Sequence, residues 1–435
     1  MNIFSFKTMN KYLTTGAVML IACTSNSASA ENTLFGDRLK VNFYLAQGFQ
    51  SIQAKEGAFR PEDLDQEANF LRLRANLELS FQITDHIRAY VDLAEEPNDF
   101  DNPNDVGFTI NQDFGGIDFE LLGIGGVKST NESLILSLGN IGQSTFQFTG
   151  FQDGAASQSN PVIGNSPVDF ATAESGAQLA YSQSIDNHTI TNWRVSGAIT
   201  GSTFGETFKS NVGHNLFLTG TIETSYGIDF GINYQKANQG GQVDISGSEI
   251  AGLEGLVTPG YRFGDGENYN FSSSATSSRE THVGLSPGLE LETLALNVRY
   301  RPTSNTTFIG RVGTAKDDFS FVDANGDITA FQGATGGAVG IVRQDSEIDF
   351  YVLEATHYVL PEKLYVAARY ANSTNNSPGV SNEDTLDRIQ LSAGYWLFDN
   401  TLIKFEYVNQ NEEANSGGQI GGGFDGFSAE VAVRF

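Results

Sequence analysis

From residue 71 the chain alternates strictly between apolar and polar side chains. In "FLRLRANLELSFQITDHIRAYVDL" (70–93), Leu71, Leu73, Ala75, Leu77, Leu79, Phe81 and Ile83 are separated by Arg72, Arg74, Asn76, Glu78, Ser80 and Gln82. After Thr84-Asp85-His86 the pattern restarts, with Ile87, Ala89, Val91 and Leu93 set against Arg88, Tyr90 and Asp92. A period of two is an extended strand with one greasy face and one wet face. It recurs at 39–49, 227–235, 294–301 and 388–397, in runs of about ten residues, the length at which a tilted strand crosses a bilayer.

The connections are sorted by length. Short polar turns fall at 84–86, 128–132, 185–188, 224–227, 302–306, 359–363 and 398–400. Between them lie Gly-, Asn- and acid-rich stretches at 50–68, 95–106, 141–174, 201–213, 236–286, 317–344, 374–385 and 411–424. Seven short turns interleaved with eight long loops join sixteen strands, an even number that returns both chain ends to one side. The patterning is weak near 107–127 and 280–292. A soluble sandwich also alternates, but it does not sort its loops this way. Sixteen amphipathic strands closed into a barrel leave a lumen too wide for side chains to fill. The greasy face then meets lipid, and closure satisfies every backbone group. Arg72 or Arg74 turned outward at mid-membrane would cost about 2–4 kcal/mol each. The expected fold is therefore an all-β transmembrane antiparallel barrel.

Composition narrows the partners. The 435 residues carry a net charge of -27, with 52 acids against 25 basic residues. Such an acid excess disfavours nucleic acid and anionic lipid surfaces as partners. Residues 1–30 read as an export signal: Lys7 and Lys11, an apolar run from Leu13 to Ala22, and Ala28-Ser29-Ala30 before Glu31. Without those two lysines the mature chain, 31–435, stands at -29. The lone cysteine, Cys23, lies in the leader, where Leu20-Ile21-Ala22-Cys23 reads alternatively as a lipidation site. Cleavage after Ala30 leaves no disulfide, thiolate metal site or cysteine nucleophile.

The closing residues "GFSAEVAVRF", with Phe427, Ala429, Val431, Val433 and Phe435 on one face, resemble the last strand of Gram-negative outer-membrane porins. "GYWLFDNTLIKFEYVNQ" (394–410) resembles the penultimate hairpin of phosphate-selective-type porins. The general likeness spans the mature chain; the specific one covers about the last fifty residues. It implies integral placement in the outer membrane, short periplasmic turns and long extracellular loops. It also implies a homotrimer, contact with lipid and lipopolysaccharide, and Phe435 as the address read by the barrel-assembly machinery. Finally, it implies that the third long loop, 141–174, folds into the lumen as a constriction.

That loop lacks Lys and Arg and carries Asp153, Asp169 and Glu174. By alternation Lys40, Arg72, Arg74, Arg88, Arg388, Lys404 and Arg434 point inward, on strands 14–16 and 1–3, which are contiguous once the barrel closes. An acidic loop opposite a basic wall gives a transverse field that slows bulky apolar solutes. The alternative is that these cations pair with inward Glu78, Asp92, Glu406 and Glu430 and only solvate the wall. A phosphate-binding ladder is a third reading, since Arg grips phosphate bidentately. Phe146, Phe148 and Phe151 either line a track for sugar rings or pin the loop to the wall.

"DANGD" (323–327) has calcium-loop spacing in part, but Gly326 and Ala334 miss the pattern, and an Asn-Gly hairpin tip accounts for it. The acidic run at 95–105 is either a solvated loop or a divalent-cation bridge to lipopolysaccharide. His86, His188, His214, His282 and His357 share no constellation with a serine nucleophile motif, so no enzyme is expected. The expected function is passive diffusion of small hydrophilic solutes and ions, without cofactor or metal. The alternatives are a porin preferring phosphate or oligosaccharide, and a plugged structural or adhesive barrel.

Overall fold

The structure is a computed structural model. It describes residues 32–34, 38–55, 73–95, 111–123, 131–142, 148, 162–163, 173–185, 189–201, 214–239, 289–320, 331–332, 338–339, 343–375, 384–413 and 422–435. The leader, Arg72, Asp153, Asp169, Phe146, Phe151, the DANGD segment, the acidic run beyond Glu95, His188 and His282 lie outside them.

Sixteen strands form the wall: β1 Leu39–Ala54, β2 Leu73–Thr84, β3 Ile87–Glu95, β4 Asn111–Glu120, β5 Glu132–Gly142, β6 Ala173–Ser184, β7 Ile190–Gly201 and β8 His214–Thr224, followed by β9 Ile228–Gln239, β10 Leu289–Thr303, β11 Thr306–Ser320, β12 Arg343–Leu360, β13 Leu364–Asn375, β14 Asp384–Phe398, β15 Thr401–Glu413 and β16 Gly422–Arg434. Each pairs antiparallel with its sequence neighbours, and β16 closes onto β1 from Phe424↔Ala54 to Arg434↔Tyr44. Phe435 adds the last rung. Its N–H donates to the Phe43 carbonyl at 2.8 Å, and its ring lies 5.8 Å from that of Phe43. Asn32–Leu34 folds back on Leu39–Val41, and 331–332 pairs with 338–339 as a separate small hairpin.

The expected turn and loop order holds, with shifts at the edges. β1 runs on to Ala54 because Gln53 and Ala54 find partners in Asp425 and Phe424 of β16. β4 ends at Glu120, so the connection expected at 128–132 spans 121–131. Glu174, read from the sequence as a loop residue, belongs to β6, its backbone opposite Ile141. In each case cross-strand pairing overrides local composition.

The solubility pattern is inverted. Outward positions carry exposed apolar side chains such as Ile199, Leu218, Phe230, Leu296, Val312, Leu353, Leu391 and Phe405. Inward positions carry buried polar ones, including Asn76, Asp118, Asp229, Asn297, Arg311, Glu354, Gln390 and Glu430. Aromatic and polar groups bound the apolar belt. Toward the short-turn end, Tyr181 packs on Trp193 with ring centroids 5.1 Å apart, and Tyr300 stacks on Phe308 at 6.4 Å. Toward the long-loop end, Tyr370 donates to Asp387 at 2.5 Å and Asn372 to the same oxygen at 2.9 Å, while Lys55 reaches Asn409 at 2.6 Å. Two such girdles around an apolar band mark a barrel that spans a bilayer.

The lumen wall is not uniformly polar. Ala295, Phe350, Val352 and Ala371 form one inward apolar cluster, and Ile52, Val408 and Phe424 another. Gly394 leaves room for the Tyr365 ring, whose atoms lie as close as 2.1 Å to where a Cβ on Gly394 would stand. The aromatic therefore lies across the neighbouring strand inside the barrel.

This sidedness sets a test. Leu296→Arg, on the belt, is expected to lower unfolding stability in lipid vesicles by about 2–4 kcal/mol. Gln178→Arg, on the lumen face, should change it by no more than about 1 kcal/mol. Denaturant titration of both variants checks the difference, and equal costs would contradict the assigned faces.

Candidate functional site

The wall on β11–β16 and β1–β2 is where charge gathers. Arg311 (β11) meets Glu354 (β12) at 2.5 Å, and Glu354 accepts from Arg369 Nε (β13) at 3.1 Å. Arg369 Nη1 donates to Gln390 Oε1 (β14) at 3.0 Å, and Gln390 Nε2 donates to Glu406 Oε1 (β15) at 2.9 Å. Lys404 (β15) pairs with Glu430 (β16) at 2.9 Å, and Glu430 lies 3.9 Å from Arg74 (β2). Arg388 Nε donates to Gln410 at 2.7 Å and its guanidinium lies over the Phe424 ring at 5.5 Å. These groups are taken out of water. Arg74 and Arg388 are each 1% exposed, and Lys404 is 0% exposed. A buried ion is tolerable only where partners replace its hydration, and here each cation has one.

The described parts of the third long loop lie against this network. Ile163 N–H donates to Glu406 Oε2, and the Ile163 carbonyl accepts from Arg74 Nη2 at 3.1 Å. Arg311 Nη2 donates to the Phe148 carbonyl at 2.9 Å, and the Arg299 guanidinium sits 4.7 Å from the centre of the Phe148 ring. Val162 packs among Tyr365, Ala367 and Leu402, with Tyr358 and Trp396 alongside. The wall thus grips the loop by its backbone and by apolar side chains. Phe148 is a pin, buried under an arginine, and not an open track for sugar rings.

Among the cations expected on the wall, Arg74, Arg88, Arg388, Lys404 and Arg434 stand on the inward register of their strands; Lys40, near the start of β1 opposite Ser80, shares that register and is exposed. Arg434 sits opposite Tyr44 at the closing seam. Arg88 pairs with Asp118 at 2.5 Å, and Asp118 also accepts from Ser137 at 2.7 Å. Glu78 accepts from Asn42 at 3.0 Å, and Asp92 accepts from Asn76. The wall is therefore a mixed ladder in which inward acids alternate with the cations. Of the four acids that the pairing alternative named, Glu430 takes cations, while Glu406, Glu78 and Asp92 accept from Gln390, Asn42 and Asn76; Asp118 and Glu354 were not foreseen.

Arg299, Arg301, Arg311 and Arg369 also belong to the inner wall and were not in the expected set. Asp229, fully buried, takes Arg299 at 2.8 Å and Arg301 at 2.7 Å, and Arg299 also meets Glu223 at 3.3 Å. Arg299 and Arg301 sit on the polar register of 294–301, so the same alternation could have found them. Of the histidines, His86 lies in the β2–β3 turn, and His357 Nδ1 is 2.9 Å from Thr306 Oγ1 at the short-turn edge.

No protein-family profile matches this sequence, and no curated protein matches it. Solved structures do match in fold. OmpT, an outer-membrane protein of Vibrio cholerae folded in vitro, aligns with a TM-score of 0.52 at 9% identity, covering 93% of this chain and 100% of its own. The outer membrane channel DcaP of Acinetobacter baumannii aligns with a TM-score of 0.52 at 10% identity, over 94% of this chain and 100% of its own. OmpF of Salmonella typhi, solved with daunomycin, gives 0.50 at 13% identity over 93% and 100%. With sixteen strands, a closed seam and an apolar belt, the chain has the porin fold: an integral transmembrane β-barrel of the kind found in bacterial outer membranes.

Proposed function

We propose that this chain is an outer-membrane porin that passes small hydrophilic solutes and ions passively. In this reading residues 1–30 are removed on export, and Phe435 addresses the barrel to the assembly machinery. The short turns face the periplasm and the long loops face the lipopolysaccharide side. Loop 141–174 sets the size cut-off. A homotrimer is the proposed assembly, a state in which Vibrio cholerae OmpT has also been solved. Solutes move down their gradients through water, so the activity needs neither a cofactor nor a catalytic group.

One observation carries the reading: loop residues Phe148, Val162 and Ile163 are fastened to the inner wall of a barrel whose outer wall is apolar. A loop held to one side narrows the lumen without needing to close it. The same contacts weigh against a phosphate ladder. Arg74, Arg388 and Lys404 are covered, and each already holds a protein partner. Arg88 and Arg301, inward cations with side chains 49% and 43% exposed, sit on Asp118 and on Asp229, which Arg299 shares. Exposed pairs of this kind give little net field, which fits weak selectivity. Asp153, Asp169 and Glu174 remain the proposed acidic side of the constriction. A plugged, non-conducting barrel is the second reading, favoured by the same burial of inward charge.

Planar-bilayer recording separates the two. The channel reading expects ohmic single-channel steps with no micromolar block by phosphate; the plugged barrel gives no steps. Arg88→Ala with Arg301→Ala should shift the reversal potential in a salt gradient toward cations, and Asp153→Asn with Asp169→Asn toward anions. If neither moves, these groups do not face the ion path. Deleting Phe435 should abolish the boiling-dependent gel shift of the cell-assembled protein, and a normal shift would contradict its role as the address.

A further inference from the structure

The wall reaches the loop at two separated points, the Phe148 carbonyl and the Ile163 amide. Five consecutive strands join those points through one inward side chain each. Arg311 binds Phe148 and Glu354, Arg369 spans Glu354 and Gln390, and Gln390 spans Arg369 and Glu406, which takes the Ile163 N–H. The series has a direction. Gln390 presents its carbonyl to a guanidinium and its amino group to a carboxylate; a flipped amide would face like against like at both ends. All five side chains are buried, where a displaced partner cannot be replaced by bulk water and each bond polarises the next.

We infer that this series couples the two loop anchors, so that Arg369 and Gln390, which lie between the anchors in the series, are positioning residues for the constriction. Arg369 holds Glu354 beside Arg311 as its ion-pair partner and holds the Gln390 amide in the orientation that Glu406 requires. Losing Arg369 frees Glu354 to swing and lets the amide turn, and both ends of the loop segment loosen together. A wall of independent pairs would behave otherwise: a change at one pair would loosen the anchor it touches and leave the other seated. This inference deepens the channel reading, on which its meaning for solute passage rests, but the coupling itself is testable without current.

Cys23 is the only cysteine, so a Cys23→Ser background allows single thiols to be followed. Phe148→Cys and Val162→Cys would be labelled separately with a water-soluble maleimide, each with Arg369 intact or as Arg369→Met. With Arg369 intact both sites should react slowly, since Phe148 and Val162 are buried. Arg369→Met should raise both rates about tenfold or more, the signature of a shared local opening, and Arg369→Lys, which keeps the charge but loses the planar fork, should raise them less. Should Arg369→Met fail to give a heat-modifiable barrel, Gln390→Met cuts the same series and is read identically. A folded variant in which only one site speeds up, or neither does, overturns the coupling. A non-conducting parent with both rates raised in the variant would instead remove the channel reading and leave the coupling in place.

Discussion

The organising constraint is that a backbone N–H or C=O in hydrocarbon has no water to turn to. A sheet can live there only if it has no edge. Every other feature follows from the seam where β16 meets β1. That ring of ladders lets one side of each strand be apolar all the way round and forces the remaining side chains into the interior. Sixteen strands make the interior wide, so polar and charged groups can stay there, provided they find water or one another.

On the half of the wall formed by β11–β16 and β1–β2 they find one another. Pairs such as Lys404–Glu430 and Arg369–Glu354 are fully buried, and loop residues Phe148 and Ile163 supply backbone partners to Arg311, Arg74 and Glu406 beside them. The network is thus a seat whose occupant is this chain's own polypeptide. Buried ion pairs add little net stability compared with a well-packed apolar core, but breaking one partner is expensive, about 3–5 kcal/mol. That asymmetry suits a seat: the arrangement is hard to leave by small steps. It also explains why basic residues in a lumen do not by themselves make an anion site. Where they are covered and neutralised, their field ends at their partners.

The strand count, the turn and loop order, and the inward or outward sense of the described wall residues were legible because alternation is a local property. The partners of the inward cations were legible only in part, as for Glu430, because register is set by the neighbouring strand and not by the strand itself. Glu354, for example, meets Arg369 through the β12–β13 register. Arg311 and Arg369 escaped notice for a different reason. Gly310 interrupts the apolar face of β11, and Ala367, Ala368 and Tyr370 leave β13 mildly apolar on both faces, so neither strand announces its sides. The backbone anchoring at Phe148 and Ile163 carries no side-chain signal in the sequence, although the loop's length did mark it as a candidate. Glu174 shifted from loop to strand because a ladder ends where partners run out, and composition does not encode that point.

The direct test of the inverted wall is an accessibility scan with spin labels at positions 77 to 82 along β2, in lipid vesicles. The inverted wall predicts a two-residue oscillation, with relaxation by membrane-dissolved oxygen peaking at Leu77, Leu79 and Phe81 and relaxation by a water-soluble nickel chelate peaking at Glu78, Ser80 and Gln82. Oscillations in phase with each other, or oxygen peaks on the even-numbered residues, would contradict it.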